Sequence, residues 1–164
     1  TCLSAQTGTT SMTLTGFDGT KNLAGKNNLD FVHLEGDKYM IKDGTKCLIF
    51  GGNGNNKNPQ FYNWGGSDEH CGFPDQGGGS KASLLANGQA IFDVIHLEDD
   101  KYLIKYAEDG PGGGGKCLIY GNSGKDTSVQ RYLWNANAAY ADTCGFSTQA
   151  TLVANRQAVF TLNC

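Results

Sequence analysis

An internal repeat constrains this chain more than any other feature. Residues 33–42 (HLEGDKYMIK) recur as residues 96–105 (HLEDDKYLIK), and residues 46–50 (KCLIF) recur as residues 116–120 (KCLIY). Cys71-Gly-Phe recurs as Cys144-Gly-Phe, and residues 85–92 (LANGQAIF) recur as residues 153–160 (VANRQAVF). Copied segments of this kind indicate a single domain, residues 1–164, in which one structural unit is used several times.

A third and fainter copy lies at the start of the chain. Cys2-Leu-Ser matches the two Cys-Leu-Ile segments, and Thr15-Gly-Phe matches the two Cys-Gly-Phe segments. We therefore predict units of about 1–46, 47–116 and 117–164, the middle one enlarged by Gly-rich stretches. The last unit has no copy of the Lys-Tyr-Leu-Ile-Lys segment, so the repeat alone leaves open how the fold closes there.

The local pattern of each unit favours short β-strands. The Lys-Cys-Leu-Ile-Tyr segments are rich in strand-forming residues, and the dipeptide Asn87-Gly88 between two apolar runs predicts a hairpin turn, with Asn155-Arg156 at the matching place. No window shows helical periodicity beyond two turns. Three units of about four strands predict an all-β barrel capped by hairpins, because closure removes the open edges of a sheet.

Six cysteines and no C-x-x-C spacing indicate disulfides rather than a metal site, and therefore an oxidising compartment. Because Cys47 and Cys71 occupy the same unit positions as Cys117 and Cys144, the repeat predicts the bonds Cys47–Cys71 and Cys117–Cys144. Cys2 and Cys164 remain, and we expect them to join the two ends of the chain. A start at Thr1 without a leader segment fits a mature, secreted protein.

Charge and motifs argue against several function classes. The net charge of −3 comes with no basic stripe, so nucleic acid is not an expected partner, and no apolar run is long enough to span a bilayer. Residues 110–116 (GPGGGGK) match a phosphate-loop spacing, but a strand and Cys117 follow instead of a helix and a hydroxyl residue. We therefore expect no catalytic residues, no metal and no cofactor.

Two His/Glu pairs leave one alternative open. His33 and Glu35, like His96 and Glu98, would share one face of a strand. Such a pair could bind a metal or carry out acid–base chemistry. We expect instead that it lies on a solvated strand face, because no third type of metal ligand recurs beside it.

The three Cys-Leu repeats, the bonds within units and the final apolar strand of each unit resemble the R-type (ricin-B-like) β-trefoil lectins. The resemblance covers the whole chain as a pattern and implies a β-trefoil that binds galactose-type sugars in shallow pockets, one per unit at most. The chain departs from the family's Gln-x-Trp segment, since it has Gln89-Ala-Ile-Phe92 and Gln157-Ala-Val-Phe160. It also has Ile where the family often carries a sugar-binding Asp after Cys-Leu, so that ligand is not transferred.

Two aromatic segments provide the candidate binding residues. Sugar recognition needs an aromatic face for the C–H side of the ring and planar amides or carboxylates for the hydroxyls. The predicted ligand-binding residues are Tyr62, Asn63, Trp64 and Asp68 in one segment, and Tyr132, Trp134, Asn135 and Asp142 in the other. The alternative is that the aromatics are core and the polar residues are solvated loop. The faint first copy has no such segment, which favours a role outside the shared barrel.

The resulting hypothesis is a secreted, non-catalytic lectin with glycan partners and shallow sites in up to three repeats. The alternative is a secreted β-trefoil protease inhibitor that would use the loop at residues 109–116, although its glycines make that loop flexible. A structural or storage protein is a third possibility. The sequence does not indicate an oligomeric state or a particular sugar.

Overall fold

The computed structural model describes residues 9–15, 26, 28–50, 59–65, 70–71, 82, 84–85, 88–106, 117–120, 129–132 and 143–163. These residues form a mainly antiparallel β-structure, which confirms the all-β prediction, with one short helix at Gln149–Asn155. The strands are β1 Thr9–Thr15, β2 Asn28–Glu35, β3 Lys38–Asp43, β4 Lys46–Phe50, β5 Pro59–Tyr62, β6 Phe92–Glu98, β7 Lys101–Tyr106, β8 Cys117–Tyr120, β9 Val129–Tyr132 and β10 Val159–Asn163. Over the described part of the chain, no helix is long and apolar enough to cross a membrane.

Six strands close into a ring. Going round it, β1 pairs with β2, β2 with β3, β3 with β6, β6 with β7, β7 with β10, and β10 with β1. The hairpin β4–β5 is attached to β3, and the hairpin β8–β9 is attached to β7 in the same way. Each ring strand therefore has a neighbour on both sides, which removes the open edges that promote aggregation.

The ring divides into three modules, which we define as residues 9–35 (β1, β2), 38–98 (β3 to β6) and 101–163 (β7 to β10). Strand β1 closes the ring, because it pairs with β2 on one side and with β10 on the other. Its register pairs Thr15 with Thr161 inside the ring. The predicted match of Thr15 to Cys71 and Cys144 is therefore wrong, because those cysteines lie outside the ring strands.

The central core fills the ring with side chains from all three modules. The strand registers define four positions, and each module supplies one buried apolar side chain to each of them. The four sets are Met12/Tyr39/Tyr102, Leu14/Ile41/Ile104, Leu29/Phe92/Phe160 and Phe31/Val94/Leu162, completed by Leu48 and Leu118 from the hairpins. Burying one such side chain stabilises the fold by about 1.5–3 kcal/mol, so this set carries much of the folding free energy.

Modules two and three each carry a second apolar cluster outside the ring. Six positions correspond one to one, namely Met40, Cys47, Ile49, Cys71, Leu84 and Ala90 in module two, and Leu103, Cys117, Ile119, Cys144, Leu152 and Ala158 in module three. The predicted bonds Cys47–Cys71 and Cys117–Cys144 are confirmed, with Cα–Cα distances of 5.8 and 6.0 Å. The predicted bond Cys2–Cys164 lies outside the described residues.

The predicted hairpin turn at Asn155-Arg156 is wrong, because the chain before it is helical. Of the predicted turn at Asn87-Gly88, Asn87 lies outside the described residues. The helix Gln149–Asn155 is capped at its N-terminus by Thr148, whose side chain accepts from the Thr151 backbone N–H, and at its C-terminus by Arg156, which has φ 75°. Leu84 and Leu85 are likewise helical, and Gly88 follows with φ 78°. A left-handed residue ends a helix as readily as it makes a hairpin turn, so the same dipeptide signal serves both structures.

Candidate functional site

The first aromatic segment continues strand β5 along the outer side of the hairpin in module two. In the β4–β5 pairing, Phe61 lies opposite Leu48 and packs on the central core, while Tyr62 lies opposite Cys47. Side chains alternate along a strand, so Tyr62 stands on the face away from the ring. It is 44% exposed and is the large hydrophobic side chain that the described surface presents most openly.

Trp64 fixes the position of Tyr62. The Trp64 side chain is half-buried and packs against the second cluster of module two. Its ring centroid lies 5.5 Å from that of Tyr62 with an interplanar angle of 84°, an edge-to-face contact of the kind aromatic pairs prefer. The Trp64 backbone N–H donates to the carbonyl of Cys71 at 2.7 Å, which ties the segment to the disulfide. The exposed tyrosine is thus held on a rigid support.

Asn63 has a structural task that the sequence did not reveal. Its side-chain amide nitrogen donates to the backbone carbonyl of Thr45 at 2.6 Å, and its amide oxygen accepts from the backbone N–H of Gly65 at 2.7 Å. Gly65 follows with φ 122°, a conformation that glycine tolerates best. Asn63 therefore joins the aromatic segment to the β3–β4 turn and positions the residues on either side of it.

The other predicted site residues are described only in part. Strand β9 places Tyr132 opposite Cys117, the same register that places Tyr62 opposite Cys47. Asp68, Trp134, Asn135 and Asp142 lie outside the described residues, as do the loop at residues 109–116 and the whole glycine-rich phosphate-loop match. The structure therefore brings Tyr62, Asn63 and Trp64 together in one segment and describes the counterpart segment only as far as the backbone of Tyr132.

The two histidines of the His/Glu pairs stabilise turns. The Nε2–H of His33 donates to the carbonyl of Gly36 at 2.8 Å, and that of His96 donates to the carbonyl of Asp99 at 2.7 Å. Gly36 and Asp99 have φ values of 49° and 45°, so each imidazole braces a left-handed turn. A register shift in the pairing with the next strand lies between each His and its Glu. Within the described ranges, no group of three His, Cys, Asp or Glu residues could hold a metal ion.

Comparison with known proteins identifies no relative. No protein-family model, no curated protein and no solved structure matches this chain. Its function is therefore inferred from the ring of strands and from the supported aromatic pair on module two.

Proposed function

We propose that this chain is a non-catalytic, carbohydrate-binding β-trefoil protein, and that Tyr62 forms the aromatic platform of a shallow sugar site. The observation that carries the proposal is the exposed ring of Tyr62, held edge-on by Trp64 and anchored to the Cys47–Cys71 disulfide. A large aromatic exposed on a rigid support is unusual for a residue that only fills the core.

The strand order supports the trefoil assignment. A β-trefoil is a closed ring of six strands with hairpins attached, and the six ring pairings and two attached hairpins follow that plan. The four core positions that every module fills once are what a threefold repeat would produce. In module one the connection between β1 and β2 is residues 16–27, whereas residues 44–91 connect β3 to β6. Module one is therefore proposed as a shortened copy.

Sugar is the ligand class that fits a shallow aromatic platform. An exposed aromatic face covers the C–H side of a pyranose, and the surrounding polar groups bind its hydroxyls. Shallow sites bind weakly, and a second site at Tyr132 and Trp134 would raise the apparent affinity for branched glycans through multivalency. Galactose-type sugars are the first to test because of the resemblance to R-type lectins. The buried disulfides support a secreted protein.

A glycan array followed by calorimetry on the best ligand tests the proposal. We expect Tyr62→Ala to weaken binding about tenfold or more, since the stacked ring is lost, and Tyr62→Phe to retain it. Gln60→Ala is the matched control, because Gln60 is an exposed residue on the same strand. Thermal unfolding should stay unchanged in Tyr62→Phe and Gln60→Ala, and Tyr62→Ala, which loses the ring contact with Trp64, should still unfold cooperatively with Tm lowered by about 1–6 °C.

Two results would refute the proposal. One is the absence of binding to any glycan by the folded, oxidised protein. The other is a bound glycan whose affinity is unchanged by both Tyr62→Ala and a Tyr132→Ala, Trp134→Ala double variant.

A further inference from the structure

A polar groove on module one lies where modules two and three carry their second apolar clusters. Three register positions show the replacement. At the groove these positions hold Thr13, Asn28 and Asn163. In the same order, they hold Met40, Ile91 and Val32 in module two, and Leu103, Val159 and Ile95 in module three. Every apolar side chain at these positions has become a hydroxyl or an amide at the groove.

The polar side chains of the groove are already ordered in pairs. The hydroxyl of Ser11 donates to the Asp30 carboxylate at 2.6 Å, and the hydroxyl of Thr13 donates to the Asn28 side-chain carbonyl at 3.1 Å. Both pairs are cross-strand neighbours in β1 and β2, so strand pairing holds them in place. A ligand that replaces or extends these bonds meets groups whose side-chain entropy has largely been lost on folding.

Asp30 differs from the carboxylate at the same register in module two. There, the Asp93 carboxylate lies 3.3 Å from the Lys38 ammonium, the residue opposite it on β3. In module one Ser11 replaces that lysine on β1, while the register places Lys42 of β3 opposite Asp30 on its other side, as it places Lys105 opposite Asp93. On the β1 side the Asp30 carboxylate thus has a hydroxyl as its hydrogen-bond donor, an arrangement suited to accepting hydrogen bonds from further hydroxyls.

We propose that this groove binds a single sugar ring or a similar neutral polyol. Its volume is about 260 Å³, near the small end of ligand clefts, and Met12 and Leu29, whose side chains belong to the central core, line it together with the polar residues. The wall offers the alternating donors and acceptors that vicinal hydroxyls require, with Asp30 as the strongest acceptor. The site shares no residue with the Tyr62–Trp64 pair, so it stands or falls apart from that proposed site.

NMR titration of the ¹⁵N-labelled protein with galactose, glucose, mannose and N-acetylglucosamine tests the groove. We expect at least one sugar to cause saturable shifts in the amide signals of Thr13, Asn28 and Asp30. Asp30→Ala should abolish these shifts or weaken the affinity by tenfold or more. Asp93→Ala is the matched control, since it removes the same side chain at the same register in module two, and the shifts should persist there.

Further variants separate the two sites and guard against misfolding. Tyr62→Ala should leave the groove shifts unchanged even if it removes binding at the aromatic platform. If Asp30→Ala does not fold, Ser11→Ala serves instead, because Ser11 is exposed and donates only to Asp30 among the described residues. The proposal is overturned if none of the four sugars shifts the groove signals, if the shifts survive both groove variants, or if Ca²⁺ alone saturates the groove and sugars do not.

Discussion

Replacing Asn63 tests whether its side chain holds the aromatic segment in place rather than only contacting a ligand. Its side chain makes hydrogen bonds of 2.6 Å to the carbonyl of Thr45 and 2.7 Å from the N–H of Gly65, and Asn63→Ala removes both. A net contribution of about 0.5–1.5 kcal/mol per bond predicts a loss of about 1–3 kcal/mol in the free energy of unfolding. For a chain of this length, each kcal/mol corresponds to a decrease of about 2–4 °C in Tm.

Urea unfolding of the oxidised protein, followed by far-UV circular dichroism and linear extrapolation, measures this loss. Gln60→Ala on the same strand should stay within about 0.5 kcal/mol of the parent, because Gln60 is exposed. Asn63→Asp keeps the acceptor for Gly65 and loses the donor to Thr45, so it should be destabilised as well. If Asn63→Ala leaves the free energy of unfolding within about 0.5 kcal/mol of the parent at an unchanged m-value, the side chain does not hold the segment.

Three further predictions concern the core. Tyr102 is 1% exposed and its hydroxyl has no hydrogen-bond partner among the described residues, so Tyr102→Phe should preserve stability or raise it by about 1–2 kcal/mol in urea unfolding. Burial, then the Asp37 carboxylate and Tyr102, raise the pKa of Tyr39 above its ordinary value. The stability it confers is therefore complete below about pH 10 and declines at higher pH, and the decline should be smaller in Tyr39→Phe when unfolding is measured at several alkaline pH values. Removing the disulfide of module three with Cys117→Ala and Cys144→Ala should cost about 3–4 kcal/mol, measured as a lower urea midpoint; an unchanged midpoint would contradict its structural role.

The repeat predicted the parts of the fold that modules two and three share. Residues 33–42 and 96–105 are nearly identical, and the structure gives them the same strands, the same register shift and the same His-to-carbonyl bond. The disulfide pairing followed in the same way, because equivalent positions in one architecture meet equivalent neighbours. Where two copies keep the same residues, comparing their sequences predicts that they make the same pairings and side-chain contacts.

Strand β1 could not be recognised as a ring strand by comparing its residues with the repeated segments. Met12 and Leu14 fill the core positions of Tyr39 and Ile41, but Thr13 between them replaces Met40, so no segment like Lys-Tyr-Met-Ile-Lys remains. What is retained is the alternation of buried and outward side chains, which many unrelated strands also have. The pairing of β1 with both β2 and β10 shows that it is the strand that closes the ring.

The sequence predicted which residues of the candidate site lie together, but not what each side chain does there. The pattern Tyr62-Asn-Trp64 indicated aromatics beside an amide, and the structure does bring them together. Which ring stays exposed depends on the register of β5 against β4, and the use of the Asn63 amide depends on the distant turn at Thr45. Neither pairing can be deduced from the local sequence. The fold was therefore needed to tell that Tyr62 is exposed, that Trp64 packs beneath the segment and that Asn63 holds it by hydrogen bonds.

The polar groove and the shortened connection of module one explain each other. In modules two and three the outer positions of the ring are apolar because a hairpin, a disulfide and a helical segment cover them. If module one had kept Met, Ile and Val at these positions above its shorter connection, it would have exposed a contiguous apolar patch, which folded proteins avoid. Thr13, Asn28 and Asn163 remove that patch while Met12 and Leu14 keep the core intact. The inner face of the ring is thus held constant by packing, and chemical variety is confined to the outer face, where both proposed binding sites lie.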